Sequence, residues 1–271
     1  MKNHFVLTEY QLNAPLPQPV TLALVTDLHE HDPSWVLSLL KQAHPDLILA
    51  GGDTFERHES GADPRSHKDY GMLSRMAHGV LLWLDDLLGR PLAAKRGEPA
   101  NAYRFIRDAA RIAPVLLSLG NHEWYLEEQD RDLLVETGTT LLDNQDSTIS
   151  VKGNTLRIGG LSSGADLEWL ERFSQKDGYK LLLCHHPEYF ERYVRDTNID
   201  LVLSGHAHGG QIRIFDRGIF SPGQGILPKY THGVYGGRLV VSAGCANTAS
   251  IPRWGNPCEV VVLHLEKTDA N

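Results

Sequence analysis

The chain has 271 residues, of which 41% are hydrophobic and 22% are charged, as in an ordinary globular protein. Its net charge of −8 argues against a broad nucleic-acid-binding surface, but not against a small phosphorylated substrate, because bound divalent cations would reverse the local field. Three widely spaced cysteines without a CxxC pair argue against a disulfide framework. No segment resembles a signal peptide or a bilayer-spanning helix, so we expect a cytoplasmic protein.

The first part of the chain alternates between strand-like and helix-like segments. Strands are predicted at 4–10, 20–26 and 47–51, and a helix at 33–43. This alternation predicts a mainly parallel, buried sheet. Segment 54–112 is longer than a crossover between parallel strands requires, and its apolar pattern predicts helices at 72–88 and 102–112. It therefore forms either surface helices packed on the sheet or a cap over the functional site.

The second part of the chain predicts a further set of strands and helices. Helices are expected at 128–138, 166–175 and 187–195, and strands at 139–142, 147–152, 154–161, 179–184, 199–204, 210–215, 238–243 and 258–265. The first three of these strands look like a meander that turns at Lys152-Gly153-Asn154. The whole set predicts an α/β fold, a single domain over 1–271 with a helical insertion at 54–112. Its architecture is a four-layer αββα sandwich of two mixed sheets flanked by helices.

Five short polar clusters follow strand-like runs. They are Asp27-Leu28-His29, Gly52-Asp53, Gly120-Asn121-His122-Glu123, Cys184-His185-His186 and Gly205-His206-Ala207-His208. Because the carboxyl ends of neighbouring buried strands meet at one rim of a sheet, we expect the clusters to converge there. They supply carboxylates, an amide oxygen and imidazoles, a mixture that suits Mn, Fe or Zn better than Ca. A two-metal hydrolytic site is the leading interpretation.

Most of these clusters also have a structural explanation when taken singly. An Asp–His pair at a strand end is usually a hydrogen bond, and Gly-Asp is a common turn signal. Paired histidines amid glycines are harder to explain by packing, and the joint occurrence of all five clusters indicates a metal site. Alternate residues of an extended chain face one side, so Asp27 and His29 can share a metal, and so can His206 and His208. By the same alternation, only one of His185 and His186 is expected to face the rim.

The order of the blocks (DxH, GD, GNH[DE], H, GHxH) resembles the calcineurin-like metallophosphoesterase superfamily over about residues 20 to 265. The block at 205–211 is similar to a narrower bacterial group, the YkuE- and YaeI-like phosphodiesterases, as are the later segments at 228–230, 233–235 and 242–244. The resemblance implies two divalent metal ions, Mn, Fe or Zn, bound at the rim of the sheets.

The resemblance also implies a role for each position. Asp27, His29 and His208 would bind the first metal, Asn121, His185 and His206 the second, and Asp53 would bridge them. His122 would be the general acid, and Glu123 would orient it or tune a neighbouring imidazole. The family's histidine follows the apolar run directly, which favours His185 over His186. The family often has an acidic residue a few positions after the GD block, and here Glu56 is the candidate.

The implied activity is hydrolysis of a phosphodiester by a hydroxide that bridges the two metals, with His122 assisting the leaving group. The alternatives are a phosphomonoesterase or a hydrolase of nucleotide-sugar or lipid pyrophosphates. A catalytically silent scaffold that binds a protein partner would usually lack a ligand, whereas every ligand position is filled here. The expected partner is a small phosphorylated substrate. Membrane contact through the apolar helix around Trp83 is a further hypothesis, for which a buried helix is the simpler account. The sequence does not indicate the oligomeric state.

Overall fold

Two six-stranded sheets form the centre of the molecule in the computed structural model, which describes residues 5–57, 97–247 and 253–267. The first sheet contains β1 (Phe5–Ala14), β2 (Val20–Val25), β3 (Leu47–Gly51), β4 (Val115–Ser118), β5 (Thr140–Leu142) and β16 (Cys258–Lys267), in the spatial order β1-β16-β2-β3-β4-β5. Strands β2 to β5 run parallel, and β16 is antiparallel to β2. The sheet is therefore mixed, as predicted.

The second sheet is also mixed. It contains β6 (Gln145–Val151), β7 (Asn154–Leu161), β8 (Tyr179–Cys184), β9 (Leu201–Ser204), β14 (Gly233–Tyr235) and β15 (Leu239–Val241), in the order β14-β15-β9-β8-β7-β6. Strands β7, β8 and β9 are parallel, so β8 and β9 end on the same side. Two small hairpins follow β9: β10 (Arg213–Ile214) pairs with β11 (Arg217–Gly218), and β12 (Phe220–Ser221) pairs with β13 (Gly225–Ile226).

Three apolar clusters show the layer order. One lies between the sheets and joins side chains such as Leu24 of β2 and Leu183 of β8. The second packs the outer face of the first sheet against helices α1 (Ser34–Ala43), α2 (Pro99–Ala110) and α3 (Glu128–Thr137). The third packs the second sheet against α4 (Leu167–Ser174) and the π-helical turn Phe190–Val194. These layers confirm the predicted αββα sandwich.

Several predicted elements differ from the structure. The predicted meander is wrong, because β5 joins the first sheet as a parallel neighbour of β4 while β6 and β7 form a hairpin in the second sheet. The expected helix at 187–195 is only the short π-helical turn, and the strand at 210–215 shrinks to the two residues of β10. The predicted helix 72–88 and most of the insertion lie outside the described residues, so the single-domain boundaries stay a prediction.

The described part of the chain contains no helix that is both long and apolar enough to cross a bilayer.

Candidate active site

The five polar clusters lie at the carboxyl ends of five parallel strands. Asp27 follows β2, Asp53 follows β3, Asn121 follows β4, His185 follows β8 and His206 follows β9. The loops after β2 and β3 continue side by side, since the backbone N–H of Asp27 donates to the carbonyl of Gly52 (3.0 Å) and that of His29 donates to the carbonyl of Asp53 (2.8 Å). His185 Nε2, after β8 of the second sheet, lies 3.0 Å from Asp53 Oδ2 of the first, so the ends of both sheets meet at one rim. Open α/β folds place their ligands at such a rim.

Four sets of three side chains in the described residues have metal-ligand spacing, and two of them hold most of the candidate ligands. The first group comprises Asp27, His29 and His208, and the second comprises Asp53, His185 and His206. A further set joins His122 to His29 and Asp53. In each group one potential ligand atom per residue lies within 4.8 Å of the others. Carboxylate oxygens and imidazole nitrogens at this separation suit a borderline divalent cation.

Asp53 connects the two groups. Its Oδ2 atom lies 3.0 Å from His185 Nε2 and 3.7 Å from His29 Nε2. Its Oδ1 atom accepts a hydrogen bond of 2.9 Å from the backbone N–H of His122. One oxygen is therefore used to hold the loop, and the other faces both groups.

Four buried atoms of these side chains lack a hydrogen-bond partner among the described residues: His29 Nε2, Asp53 Oδ2, Asn121 Oδ1 and His185 Nε2. Buried polar atoms are nearly always paired, so four orphans in one place need an explanation. All four are metal-ligating atoms, and two divalent cations would satisfy them together. The residues present therefore fit the metals that the sequence predicted.

The backbone at the site is unusual. Asp27, His29, Asp53, His206 and His208 all have positive φ, between 44° and 63°. This left-handed region is sparsely populated by residues other than glycine, and such conformations cluster at functional sites. The expectation that Asp27 and His29 alternate along an extended segment is wrong, because both lie in the loop beyond β2. Asp27 and His29 share one group because the loop bends, whereas His206 and His208 lie in different groups.

Two glycines allow the carboxylates to be packed closely. A Cβ atom on Gly205 would lie 2.6 Å from Asp27 Oδ2, and a Cβ atom on Gly120 would collide with Asp53 Oδ1. Any larger residue at either position would displace a carboxylate from its group. This requirement explains the glycine that precedes each of these two motifs.

His122 lies beside the carboxylate of Asp53, and 31% of its side chain is exposed. Its Nε2 atom is 4.0 Å from Asp53 Oδ2, and its Nδ1 atom is 3.0 Å from Glu56 Oε2. Burial alone would lower the pKa of His122, but Asp53 and Glu56 raise it to about 9. Cations bound to Asp53 would oppose this effect, since they neutralise that carboxylate.

Glu56, rather than Glu123, contacts the histidines. Glu56 contacts Nδ1 of His122 and, through its other oxygen, Nδ1 of His29. Glu123 does not orient His122; its buried carboxylate accepts four backbone N–H groups, those of Asp53, Thr54, Phe55 and Gly120. Glu123 therefore joins the loops after β3 and β4, and Glu56 orients the histidines. The sequence feature that indicated Glu56 was its position three residues after Asp53.

His185 and His186 occupy different surroundings. His185 is fully buried, with Nε2 at 3.0 Å from Asp53 Oδ2 and Nδ1 at 2.8 Å from the carbonyl of Gly51. The favoured choice of His185 for the metal group agrees with this placement. His186 also borders the site, because its ring lies 4.2 Å from that of His206. Strand β8 ends at Cys184, so the alternation that would separate the two side chains no longer applies.

His186 belongs to a polar group that the sequence did not reveal. Its Nε2 atom is 2.9 Å from Ser163 Oγ, and its Nδ1 atom is 3.2 Å from Glu188 Oε1. Together with His206, it and Glu188 form the fourth set with metal-ligand spacing. Ser163 comes from the loop after β7, and no motif in the sequence links it to the histidines.

Burial keeps two of the imidazoles neutral. It lowers the pKa of His206 well below the usual value for histidine, and it lowers that of His208 to about 3 even though Asp27 lies nearby. Neutral imidazole is the form that binds a metal ion. Asp53 is held in its charged form: burial would raise its pKa, but His185 and His122 keep it well below the usual range.

The model of the calcineurin-like phosphoesterase family matches residues 20–210, which include every candidate metal ligand. The chain belongs to this family. Among individual relatives, it is 25% identical to the uncharacterized protein YpbG of Bacillus subtilis over 210 residues, which are 75% of this chain and 66% of YpbG.

Two further relatives belong to the group that the sequence motifs indicated. The chain is 32% identical to phosphodiesterase YaeI of Escherichia coli over 114 residues, 39% of this chain and 40% of YaeI. It is 30% identical to the uncharacterized metallophosphoesterase YkuE of Bacillus subtilis over 162 residues, 55% of each chain. The matches thus span less than two thirds of each of these relatives. They confirm the predicted superfamily and group.

Proposed function

We propose that the protein is a binuclear metal-dependent phosphoesterase that hydrolyses a phosphodiester. The observation that carries this proposal is the position of Asp53 Oδ2, which lies between His29 Nε2 and His185 Nε2 while all three atoms are buried without a hydrogen-bond partner in the described chain. Membership of the phosphoesterase family supports the same chemistry.

Each metal would have its own ligands. Asp27, His29 and His208 would hold the first ion, Asn121, His185 and His206 the second, and Asp53 would contact both. When bound, the two ions would supply an acidified water as nucleophile and polarise the phosphoryl oxygens. The mixture of nitrogen and oxygen donors suits Mn, Fe or Zn.

The chain itself would supply the proton for the leaving group. His122 is partly exposed and presents Nε2 toward the cluster, while Glu56 holds Nδ1. The hydrogen bond to Glu56 raises the pKa of His122 and so favours its protonated form. As the bond from phosphorus to the leaving oxygen breaks, Nε2–H would donate its proton to that oxygen, and Glu56 would stabilise the Nδ1–H side of the ring.

A diester is the favoured substrate because it carries one negative charge and has a second substituent that can extend away from the metals. The similarity to YaeI of Escherichia coli, which is named a phosphodiesterase, supports this choice. Hydrolysis of a phosphomonoester, or of a nucleotide-sugar or lipid pyrophosphate, is the alternative. The substrate would be a small phosphorylated compound in either case.

The test is hydrolysis of bis-p-nitrophenyl phosphate beside p-nitrophenyl phosphate, with Mn²⁺ added to chelator-treated protein. We expect Mn²⁺-dependent turnover with preference for the diester, and loss of both in Asp53→Asn. Preference for the monoester would overturn the choice of substrate. No turnover of either ester by protein shown to contain metal would overturn the proposed activity.

A further inference from the structure

The two small hairpins after His208 expose a group of large apolar side chains. Nine large hydrophobic residues are exposed in the described part of the chain, and five of them lie here. We call these five the hairpin face: Ile214 (45% exposed), Phe215 (98%), Ile226 (52%), Leu227 (70%) and Trp254 (57%). Exposed apolar side chains that are gathered in one region mark an interaction surface more often than those scattered singly.

Backbone hydrogen bonds hold the segments of the hairpin face side by side. The N–H of Arg213 donates to the carbonyl of Trp254, the N–H of Ile219 to that of Ile212, and the N–H of Leu227 to that of Ile219, each at 2.9 Å. The segments that carry the five side chains are therefore neighbours within a small hydrogen-bonded unit.

Phe215 and Leu227 hold costly conformations that no packing compensates. Their φ angles are +49° and +53°, in the left-handed region. Turns at such positions favour Gly, Asn or Asp, and a bulky side chain there is strained. Both side chains are largely exposed, so the described chain does not bury them. Burial of Phe215 and Leu227 against a surface outside the chain would offset the conformational cost of these two residues.

The charge around the hairpin face differs from that of the whole chain. Segment 211–230 contains three cations, Arg213, Arg217 and Lys229, and one carboxylate, Asp216. Arg213 lies 3.9 Å from Asp216, and Lys229 pairs with Glu191 outside the segment, so the positive charge that remains is that of Arg217. Arg217 is exposed and has no ion-pair partner among the described residues. The exposed cation and the apolar side chains together match a negatively charged, partly apolar surface.

We propose that the hairpin face binds the surface of an anionic phospholipid bilayer, with Phe215 and Leu227 inserted at the level of the headgroups. Protruding apolar side chains next to a cation suit the bilayer interface, because each side chain can insert among the lipids without packing against the others. A protein partner or a second copy would instead need a continuous, closely packed core. The hairpins begin beside the candidate site, where Arg213 Nε donates to the carbonyl of Gly209 (3.1 Å), so docking would hold the site close to the membrane. This inference does not depend on the proposed activity.

Asparagine variants separate membrane binding from stability. Asn tolerates the left-handed conformation but does not insert into lipid, so Phe215→Asn and Leu227→Asn should fold at least as well as the parent chain. The control is Val135→Gln, which removes an 83% exposed apolar side chain from α3, outside the hairpin face.

The experiment is co-sedimentation of the full chain with vesicles of phosphatidylcholine alone or mixed with phosphatidylglycerol. We expect binding to the mixed vesicles that weakens with added salt, and about a tenfold lower partition coefficient for each asparagine variant. Val135→Gln should bind like the parent, and the melting temperatures of the asparagine variants should be equal or higher. The proposal is overturned if the parent does not sediment with the anionic vesicles, or if both asparagine variants bind as it does. A parent dimer that Phe215→Asn converts to a monomer in light scattering would also overturn it, in favour of a second copy.

Discussion

The carboxylate of Glu56 lies 3.0 Å from the Nδ1 atom of His122, and its other oxygen contacts Nδ1 of His29. One side chain thus orients both a candidate ligand of the first metal and the candidate general acid. Carboxylates in this position fix the orientation of the imidazole ring and increase its basicity. Glu56 therefore links the first metal group to the candidate general acid.

Replacing His122 with Ala should leave the metal site occupied and remove the proton donor. We expect turnover of an alkyl phosphodiester, whose leaving group needs a proton, to fall by about two to four orders of magnitude. Turnover of bis-p-nitrophenyl phosphate should fall much less, because its leaving group is stable as an anion. The measurement is kcat on both esters, with metal content determined on the same samples. Equal losses on both esters would contradict a role in protonation.

Glu56→Gln should lower kcat by less than His122→Ala does, because Glu56 affects protonation of the leaving group only through His122. In a double-mutant cycle, adding Glu56→Gln to His122→Ala should cost less than Glu56→Gln costs in the parent, because only the contact with His29 is then left to lose. The readout that separates positioning from general damage is this non-additivity, together with an unchanged melting temperature. Fully additive losses would show that Glu56 acts independently of His122.

His185 and His186 offer a matched pair of variants in consecutive positions. His185→Ala should remove one metal equivalent, since His185 Nε2 lies 3.0 Å from Asp53 Oδ2. His186→Ala should retain both metals, because the nitrogens of His186 contact Ser163 and Glu188. Elemental analysis after gel filtration measures the difference. Metal loss in His186→Ala with full occupancy in His185→Ala would reverse the assignment.

Arg57 should be essential for stability although it lies next to Glu56. Its guanidinium is 95% buried and pairs with Asp130 at 2.7 Å and Glu30 at 2.6 Å, so Arg57→Met would leave two buried carboxylates unpaired. We expect the free energy of unfolding to fall by about 3–5 kcal/mol. The control is Arg195→Met, an exposed arginine whose ion pairs should contribute little. Urea titration compares the two, and similar midpoints for both variants would contradict the expectation.

The convergence of the candidate ligands at one rim was largely predictable because its signals are local. Asp53, Asn121, His206 and His208 each stand next to a glycine, His185 directly follows an apolar run, and Asp27 and His29 lie within four residues of one. The contact of Glu56 with His122 was harder to predict, since it depends on how the loop after β3 folds back over the loop after β4. Ser163 had no signal at all, because only the pairing of β7 with β8 brings it to His186.

The fold was predictable at the level of layers but less so for short strands. Strand β5 has three residues, and nothing in Thr140–Leu142 says which sheet it joins. Strand β10 ends after Ile214 because Phe215 adopts a left-handed conformation that its residue type does not suggest. In both places tertiary contacts decide the outcome over local propensity.

The central claim is that two divalent cations lie on either side of Asp53 Oδ2. A crystal structure of the protein soaked with Mn²⁺, with anomalous data collected near the manganese edge, tests it most directly. We predict two anomalous peaks, one among Asp27, His29 and His208 and the other among Asn121, His185 and His206, both within ligand distance of Asp53. A single peak, or peaks away from Asp53, would contradict the binuclear site.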